Sequence, residues 1–323
     1  MSDVIFQDSI RQGLSNWPLS AQIELSLINV SENHTYRVDD ALGGRTYALR
    51  LHRPGYHSLA AIRSELAWSS ALRADGVVTT PSPVPGRNGD LVQYIELSSG
   101  QRQAVLFDWQ AGHEPSHANR VAFHWMGETA ARMHHHARSW QPPSWFQRHT
   151  WDFATSLGDT PHWGRWRDGI GVSQEIEVIF ARAVHLIERR LANFGSGPAR
   201  YGLIHGDMRL ANLLIDGSAL KVLDFDDCGY SWRLYDAATA VSFYEHSPEV
   251  PTLIAAWIEG YRKVRALSSE DEAELPTFVL LRRLLLIAWL KSHEDTELAT
   301  RLGSDYTQSA VAMCEDYMIR MGG

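Results

Sequence analysis

Three oxygen-bearing side chains lie close together in the second half of the chain. Asp207 lies five residues before Asn212, and Asp224 directly follows a short apolar segment over residues 220–223. The Asp-Gly pair at residues 216–217 is typical of a tight turn, which would bring Asp224 back beside Asn212. Phosphoryl transfer needs a carboxylate that orients the acceptor hydroxyl and accepts its proton, and oxygen ligands that hold Mg²⁺ on the nucleotide phosphates. Asp207, Asn212 and Asp224 are a sufficient set for that chemistry.

The spacing of Asp207 and Asn212 matches the catalytic-loop pattern H-R-D-x-x-x-x-N of protein kinases, except that Gly206 stands in place of the arginine. The simpler alternative is that these Asx side chains only cap local turns. The joint spacing of the three side chains and their apolar flanks favour catalysis.

Composition limits the kind of protein that carries this set. The chain has 323 residues, of which 44% are hydrophobic and 21% charged, so it suits a globular protein of two domains or lobes. The 30 Lys and Arg residues against 38 Asp and Glu leave a net charge of −8, which argues against a nucleic-acid partner. Two cysteines are too few for a disulfide framework or a cysteine zinc site.

The sequence predicts no contact with a membrane. The first 13 residues lack the charged and apolar regions of a signal peptide. The most apolar stretch, residues 278–290, is interrupted by Arg282 and Arg283 and is shorter than the ~20 residues of a membrane span. This stretch is therefore predicted to be a buried helix, and the expected location of the protein is the cytoplasm.

Hydrophobic periodicity divides the chain near residue 110. Before that point, one helix with Ser58 as its N-cap separates three strands from two, which predicts a small antiparallel sheet with a helix packed on it. After residue 112 the pattern is mostly helical, apart from a loop and two short strands around Asp207. Residues 140–166, rich in Trp and Pro, are predicted to be an irregular connection that could shape a substrate pocket. Strands are predicted over residues 23–30, 35–38, 46–52, 91–95 and 104–109, and helices over residues 3–14, 57–73, 119–136, 173–191, 234–244, 252–264, 270–293 and 305–321.

Longer motifs extend the similarity beyond single residues. The segments HGDMRLAN at 205–212 and LDFDDCG at 223–229 resemble those of the aminoglycoside phosphotransferase superfamily, which includes choline, homoserine and related small-molecule kinases. The segments at 36–55 and 126–137 are similar to the family's second and third strands and to its helix after the hinge. The LDFDD pattern with LRRLLLIAWL at 281–290 is most similar to the bacterial stress-response kinase A type, a serine/threonine kinase on the same scaffold.

The resemblance implies an α+β, bilobal protein-kinase-like fold that binds ATP. Its small N-terminal lobe, an antiparallel sheet lobe over residues 1–110, would bind the nucleotide. Its larger and mainly helical C-terminal lobe, residues 111–323, would hold the catalytic loop and the substrate pocket. Asp207 would be the catalytic base, and Asn212 and Asp224 would be the Mg²⁺ ligands.

The resemblance also assigns a cation to the nucleotide phosphates. Arg50 falls where protein kinases place the lysine that touches the α- and β-phosphates, and Glu65 falls where its ion-pair partner lies. No lysine precedes Lys221, so a cation in the first 220 residues must be an arginine or a titrating histidine. An arginine supplies charge and a bidentate grip on phosphate, with a fork of different geometry. The alternative is an ordinary exposed ion pair between Arg50 and Glu65.

Other candidates for nucleotide binding lie in a turn and at a strand end. The turn that covers phosphate in kinases reads VSENHTY at 30–36, without the glycines of G-x-G-x-x-G, so backbone N–H groups and polar side chains would face phosphate. No GK dipeptide occurs, which excludes a P-loop NTPase. For Trp109, the last residue of the strand predicted over residues 104–109, the alternative is an aromatic side chain of the core. The phosphate candidates are Ser31, Asn33 and Thr35, and the adenine candidates are Phe107, Asp108 and Trp109.

Further polar positions have two interpretations each. Asp226 would approach a second metal ion or the acceptor hydroxyl, or else be a turn residue. Arg209 would favour an anionic or carboxylated acceptor, or else be solvated. His205 and Asp236 are expected to support the catalytic loop. Residues 134–136 are three consecutive histidines whose directions differ by ~100°, so they cannot share one tetrahedral metal ion, and one packed and two solvated rings are expected.

The sequence thus predicts an ATP- and Mg²⁺-dependent phosphotransferase with a hydroxyl acceptor. The acceptor is expected to be a small molecule, such as an amino alcohol, an aminoglycoside or a homoserine-like compound. A serine/threonine protein acceptor is the first alternative, although no activation loop of the protein-kinase kind follows Asp224. A nucleotide-binding scaffold without catalysis is the second alternative, because the usual lysine and glycines are missing.

Overall fold

A computed structural model describes residues 3–31 and 33–322 of the chain. The chain forms two compact units. The first unit extends to Gly112 and also includes Pro142–Gln147, and the second consists of His113–Gln141 and the chain from Arg148 onward. The sequence did not predict that Pro142–Gln147 belongs to the first unit, because residues 140–166 read as one connection.

The first unit combines helices with one sheet. Its elements are α1 (Asp3–Gly13), β1 (Ile23–Val30), β2 (His34–Asp40), β3 (Arg45–Leu51), α2 (Leu59–Ala74), β4 (Pro83–Val84), β5 (Gln93–Leu97) and β6 (Gly100–Asp108). The sheet has six strands, all paired antiparallel, in the order β1-β2-β3-β6-β4, and β5 pairs with β6. The predicted strands are all present. The two-residue β4 was missed because its Pro-rich segment predicts a break, and a proline is tolerated there because β4 ends the strand order.

Apolar side chains cover both faces of this sheet. One face packs against Ile10 of α1, and the other packs against Ile62 of α2. Successive residues of a strand point to opposite faces. On β3, Leu49 therefore joins the cluster with Ile10, while Ala48 joins the cluster with Ile62. Arg50 shares the face of Ala48, the face that α2 covers.

The second unit is mainly helical, as predicted. Its elements are α3 (Arg120–Ser139), β7 (Thr150–Trp151), α4 (Phe153–Ser156), α5 (Gln174–Phe194), β8 (Tyr201–Ile204), β9 (Leu213–Asp216), β10 (Ala219–Val222), β11 (Gly229–Trp232), α6 (Tyr235–Thr239), α7 (Val250–Arg262), α8 (Ser269–Ala273), α9 (Leu275–Ser292) and α10 (Glu297–Met321). None of the helices in the described ranges is long and apolar enough to cross a membrane.

Several predicted elements of this unit differ from the structure. The helix predicted over 234–244 is only α6, and the helix predicted over 270–293 is divided at Glu274, since Pro276 is tolerated only in the first turn of a helix. α10 starts earlier than predicted and contains the non-helical Gly303. β8 and β11 were not predicted, and with β7 they form a sheet in the order β7-β11-β8.

Two glycines allow α3 and α7 to approach each other closely. A Cβ atom on Gly127 of α3 would lie 1.9 Å from the carbonyl oxygen of Trp257. A Cβ atom on Gly260 of α7 would lie 1.8 Å from the carbonyl oxygen of His124. Both obstacles are backbone atoms, which cannot move aside without separating the helices. This close contact matters for the site because α3 carries His134 and α7 carries Tyr261, as described below.

We expect Gly127→Ala to lower the free energy of unfolding by ~2 kcal/mol, because the added methyl overpacks the α3–α7 contact. In an uncrowded helix the same change would stabilise the protein, since Ala is the better helix former by ~1 kcal/mol. Urea unfolding followed by circular dichroism measures the difference, with Val121→Ala on the exposed side of α3 as the control. A gain in stability would contradict the close contact.

Candidate active site

The segment that carries Asp207 is held in place by a buried carboxylate. Asp236, at the start of α6, accepts hydrogen bonds from the backbone N–H groups of Gly206 (2.8 Å) and His205 (3.2 Å). Gly206 has a φ of 82°, and a Cβ atom there would lie 2.5 Å from the carbonyl oxygen of Asp227. The close approach explains why glycine stands where the protein-kinase pattern has arginine. As expected, Asp236 anchors the loop from a helix start.

His134 of α3 completes this support. Its Nε2 lies 2.9 Å from Oδ2 of Asp236, and its Nδ1 lies 3.1 Å from the hydroxyl of Tyr261. Burial lowers the pKa of His134 more than the bond to Asp236 raises it. The ring is therefore neutral, donates from Nε2 to the carboxylate, and accepts at Nδ1 from Tyr261. Because both nitrogens are engaged, His134 is a structural residue and not a metal ligand.

The expected exposure of the neighbouring histidines was partly wrong. His135 is exposed, but His136 is buried, so two of the three rings are packed. The reason is local. Trp140, four residues after His136, stacks on its ring at a centroid distance of 6.1 Å.

His205 joins the loop to the hairpin formed by β9 and β10. Its Nε2 lies 3.0 Å from the carbonyl oxygen of Leu223, and its Nδ1 accepts from the backbone N–H of Asp207 at 3.3 Å. The N–H of Leu223 in turn donates to the carbonyl oxygen of Asn212 at 2.8 Å. The hairpin thus returns the chain to Asn212 immediately before Asp224, as its Asp-Gly turn predicted.

The carboxylate of Asp207 is bound by three side chains. Its Oδ1 accepts from Nη2 of Arg282 at 2.5 Å. Its Oδ2 accepts from Nδ2 of Asn212 at 2.8 Å and from Nε of Arg209 at 3.1 Å. Arg209 is therefore not simply solvated, and its contact with an anionic acceptor stays a prediction. Arg282, on α9, was not predicted as part of the site, and its signal was an arginine inside an apolar helix.

These cations determine the charge state of Asp207. Burial by itself would raise the pKa of the carboxyl group, but the positive charges of Arg209 and Arg282 hold its pKa below the ordinary value. Asp207 is therefore ionised at neutral pH. It is suited to accept a hydrogen bond from a hydroxyl group and to orient it.

Asn212 and Asp224 have the chemistry of a Mg²⁺ site. Nδ2 of Asn212 donates to the carboxylate and the carbonyl oxygen of Asp207, which leaves its Oδ1 for a cation. Asp224 has a left-handed φ of 56°, a strained conformation typical of functional positions. No group of three His, Cys, Asp or Glu in the described ranges is placed to hold a metal ion. Two protein ligands still fit Mg²⁺, which is usually held by one or two side chains with phosphate and water.

Asp226, two residues after Asp224, is buried. Its backbone carbonyl oxygen accepts a hydrogen bond from the guanidinium of Arg148, which fixes the chain after Asp224. This contact involves the main chain only, so the predicted roles of its carboxylate are not decided by it.

In the first unit, Arg50 and Glu65 form an ion pair between β3 and α2. Nη1 of Arg50 lies 2.7 Å from Oε1 of Glu65, and the two side chains are only 11% and 3% exposed. The alternative of an exposed surface pair was therefore wrong. The guanidinium also lies 5.2 Å from the ring centroid of Phe107, which belongs to the cluster under α2.

The other nucleotide candidates of this unit have separate surroundings. Asn33 is buried, and its Oδ1 accepts from the N–H of Arg53, so it fixes the chain after β3. The N–H of Ser31 donates to the carbonyl oxygen of Asn33, while Glu32, inside the predicted turn, lies outside the described residues. Thr35 pairs with Arg50 across β2 and β3.

The end of β6 carries the adenine candidates. Asp108 binds Arg45 at 2.9 Å. Trp109 is 37% exposed, so the alternative of a core aromatic was wrong. The guanidinium of Arg37 lies over its ring at 4.9 Å from the centroid.

Comparisons with known proteins identify relatives of this chain. The model of the family described as "Phosphotransferase enzyme family" matches residues 25–272. An amicoumacin kinase of Bacillus subtilis is 23% identical over 84% of this chain and 80% of its own length. A homoserine kinase of Bradyrhizobium diazoefficiens is 28% identical over 67% of this chain and 65% of its own length.

Solved structures of kinases and phosphotransferases are also similar to this chain. A microcompartment-associated aminopropanol kinase is 42% identical, covers 98% of both chains and has a TM-score of 0.90. A spectinomycin phosphotransferase solved with ADP and spectinomycin has a TM-score of 0.67 at 12% identity, over 96% of this chain and 97% of its own, and therefore shows the fold alone. The resemblance inferred from the motifs and the expected kinase-like fold are confirmed.

The neutral state of His134 predicts a pH dependence of stability. The pKa of His134 is lowered in the folded protein, so folding favours the neutral ring. The contribution of this ring to the free energy of unfolding is therefore complete above its ordinary pKa of ~6.5 and is lost as the pH falls toward the lowered pKa. We expect the free energy of unfolding of the wild type to decrease relative to His134→Gln as the pH falls below ~6.5, by up to ~1.4 kcal/mol per pH unit. Urea unfolding between pH 5 and 8 measures this difference. A difference that does not vary with pH would contradict a neutral His134.

Proposed function

Because the chain belongs to the phosphotransferase enzyme family and is a small-molecule kinase, we propose that it transfers the γ-phosphoryl group of Mg-ATP to the hydroxyl of a small amino alcohol. The observation that carries the proposal is the carboxylate of Asp207, which is held ionised and oriented by Arg209, Arg282 and Asn212. The chain belongs to an enzyme family and retains Asp207, Asn212 and Asp224. We therefore do not favour the alternative of a nucleotide-binding scaffold without catalysis.

In the proposed reaction, the acceptor hydroxyl donates a hydrogen bond to the carboxylate of Asp207. The acceptor oxygen forms a bond to the γ-phosphorus, and the bond between that phosphorus and the β,γ-bridging oxygen breaks, so that ADP leaves. The proton of the hydroxyl passes to Asp207 and then to water. A carboxylate of lowered pKa is a weak base, so its main contribution is to position the hydroxyl.

The cation of the proposed nucleotide complex would be held by Asn212 and Asp224, and the carboxylate of Asp226 is a third candidate ligand. A bound Mg²⁺ supplies positive charge that offsets the negative charge developing on the phosphate oxygens. The contribution of the protein is to present two hard oxygen atoms at the end of a rigid hairpin. The backbone hydrogen bond between Leu223 and Asn212 keeps Asn212 close to Asp224, the residue after Leu223.

We assign nucleotide binding to the first unit. Arg50 would bind phosphate in place of the usual lysine, with Glu65 holding its guanidinium. Trp109 offers an exposed ring for adenine, with Phe107 and Asp108 beside it in sequence. The turn of Ser31 and Asn33 would meet phosphate through the hydroxyl of Ser31, because the backbone N–H of Ser31 already donates to the carbonyl oxygen of Asn33.

The choice of an amino alcohol rests on the relative described as an aminopropanol kinase, which is 42% identical over nearly the whole of both chains. Amicoumacin and homoserine are further candidates, because the amicoumacin and homoserine kinases are more distant relatives. A serine/threonine protein acceptor stays the alternative of a different class.

We expect Asp207→Asn to lower kcat by ~10³-fold, because a neutral amide no longer pairs with Arg209 and Arg282 and is a weaker acceptor for orienting the hydroxyl and for taking its proton. The assay measures ADP release with Mg-ATP and 1-amino-2-propanol, ethanolamine, choline or homoserine. Asp216→Asn is a matched control, since this exposed residue of the same hairpin forms a surface ion pair with Lys221. Its activity should equal that of the wild type.

Two results would contradict the proposal. One is a wild type that releases no ADP with any of these acceptors. The other is an Asp207→Asn variant as active as Asp216→Asn. Phosphate transfer to a serine-containing protein, with no transfer to the small acceptors, would favour the protein-kinase alternative.

Arg50→Ala should raise the KM for ATP by about 10-fold or more, because a charged hydrogen bond to phosphate is lost. Arg63→Ala, an exposed arginine of α2, serves as the control and should leave the KM unchanged. Steady-state kinetics with varied ATP make the comparison. If both variants bind ATP like the wild type, the phosphate role of Arg50 is wrong.

A further inference from the structure

Two consecutive arginines of α9 are completely enclosed by protein. Arg282 is 2% exposed and Arg283 is 0% exposed, although nearly all of the surrounding helix is apolar. Burying a guanidinium is costly unless its charge is paired and its donors are bonded. Two such groups in succession therefore need a reason that simple packing does not provide.

Arg282 reaches Asp207 directly. Its Nη2 binds Oδ1 of Asp207 at 2.5 Å, its Nε binds Oγ of Ser242 at 3.0 Å, and its Nη1 binds the hydroxyl of Tyr235 at 3.1 Å. The guanidinium also lies near the ring of Trp163, at 5.5 Å from the centroid. All three nitrogen atoms are used, so the group has one orientation.

Arg283 points to a different carboxylate. Its Nη1 binds Oε2 of Glu245 at 2.7 Å, and its Nη2 binds Oγ of Ser309 at 2.5 Å. Oε1 of Glu245 accepts from the backbone N–H of Phe243 at 3.1 Å and from the hydroxyl of Tyr306 at 2.9 Å. This pair thus holds the backbone of Phe243, which has a φ of 77° that non-glycine residues rarely adopt.

The ring of Phe243 connects this second contact to the site. The guanidinium of Arg209 lies over it at 5.9 Å from the centroid, within the range of a cation–π contact. Nε of Arg209 binds Oδ2 of Asp207. A continuous series of contacts therefore runs from Arg283 through Glu245, Phe243 and Arg209 to the second oxygen of Asp207.

The two oxygens of Asp207 differ in their remaining capacity. A carboxylate oxygen can accept about two hydrogen bonds. Among the described residues, Oδ2 receives two donors, from Asn212 and Arg209, whereas Oδ1 receives one, from Arg282. Oδ1 is therefore the oxygen that has a lone pair left for an acceptor hydroxyl.

We propose that Arg282 and Arg283 are positioning residues that orient the carboxylate of Asp207, Arg282 at Oδ1 and Arg283 through Glu245 and Phe243 at Oδ2. The acceptor hydroxyl then binds Oδ1, on the side of Arg282. This inference rests on the proposed phosphoryl transfer for its catalytic meaning. A purely structural pair of arginines would affect folding without selectively changing kcat.

The main experiment compares the kinetics of Arg282→Lys and Glu245→Gln with Mg-ATP and 1-amino-2-propanol. Lysine keeps the charge of Arg282 but cannot make its three contacts. We expect kcat to fall by ~30-fold or more in Arg282→Lys and by ~10-fold in Glu245→Gln, with the KM for ATP within ~3-fold of the wild type. The larger effect belongs to Arg282 because it touches the oxygen that meets the hydroxyl.

Glu274→Gln is the matched control. Glu274 lies directly before α9, forms a two-bond ion pair with Arg190 at 2.7 and 2.8 Å and accepts from the hydroxyl of Thr277, and none of these bonds within the described residues reaches Asp207. Its substitution should lower Tm by about as much as Glu245→Gln does, and kcat should stay unchanged. An equal loss of kcat in both variants would show that the Glu245 pair is merely structural and would overturn its assignment.

Phe243→Leu tests the same series if Glu245→Gln does not fold. Leucine keeps an apolar side chain but removes the ring beneath Arg209. We expect a fall in kcat of ~5-fold or more at a nearly unchanged KM for ATP. A kcat equal to that of the wild type in this variant would overturn the role of the contacts that run from Arg283 to Asp207.

A measurement without turnover separates this inference from the proposed function. In a double-mutant cycle, Arg282→Met should lower Tm more in the wild type than in the Asp207→Asn background, because only the former leaves a buried carboxylate without its cation. Absence of ADP release in the wild type would defeat the proposed function alone. Additive changes in Tm would overturn the contact of Arg282 with Asp207 whether or not the enzyme turns over.

Discussion

A carboxylate largely removed from water governs the arrangement of the second unit. The side chain of Asp207 is only 12% exposed, and its charge must be balanced by protein groups. Arg209 comes from the same loop, but Arg282 comes from a helix far along the chain. The need to pair this charge explains why an apolar helix carries an arginine. The same ion pair connects the loop of Asp207 to the core of the unit.

A second buried aspartate, Asp236, has a structural role. Asp236 accepts hydrogen bonds from two backbone N–H groups and from the neutral ring of His134. It orders the loop, whereas Asp207 is the carboxylate that we propose for the acceptor hydroxyl. Their partners, and not their residue type, distinguish the structural carboxylate from the catalytic candidate. The close approach of α3 and α7 serves the same end, because His134 and Tyr261 come from these two helices.

Local patterns predicted most of the elements, and long-range pairing explains the misses. The strands of the first unit were predicted because alternation is a local property, and Ser58 and Ser173 cap their helices as local signals suggest. β8 and β11 were missed because each is four residues long and is stabilised by pairing across the chain. α6 is shorter than its apolar pattern predicts, since Phe243 adopts a left-handed conformation that Glu245 holds.

The sequence by itself determined the candidate set of Asp207, Asn212 and Asp224, because they belong to one contiguous segment whose tight hairpin returns the chain to Asn212. It also determined the family, since the motifs are contiguous. Only the tertiary structure decided which cations surround Asp207 and that Arg50 forms a buried pair with Glu65. The physical reason is that burial and charge pairing depend on residues distant in sequence, and no local pattern specifies which buried charges will meet.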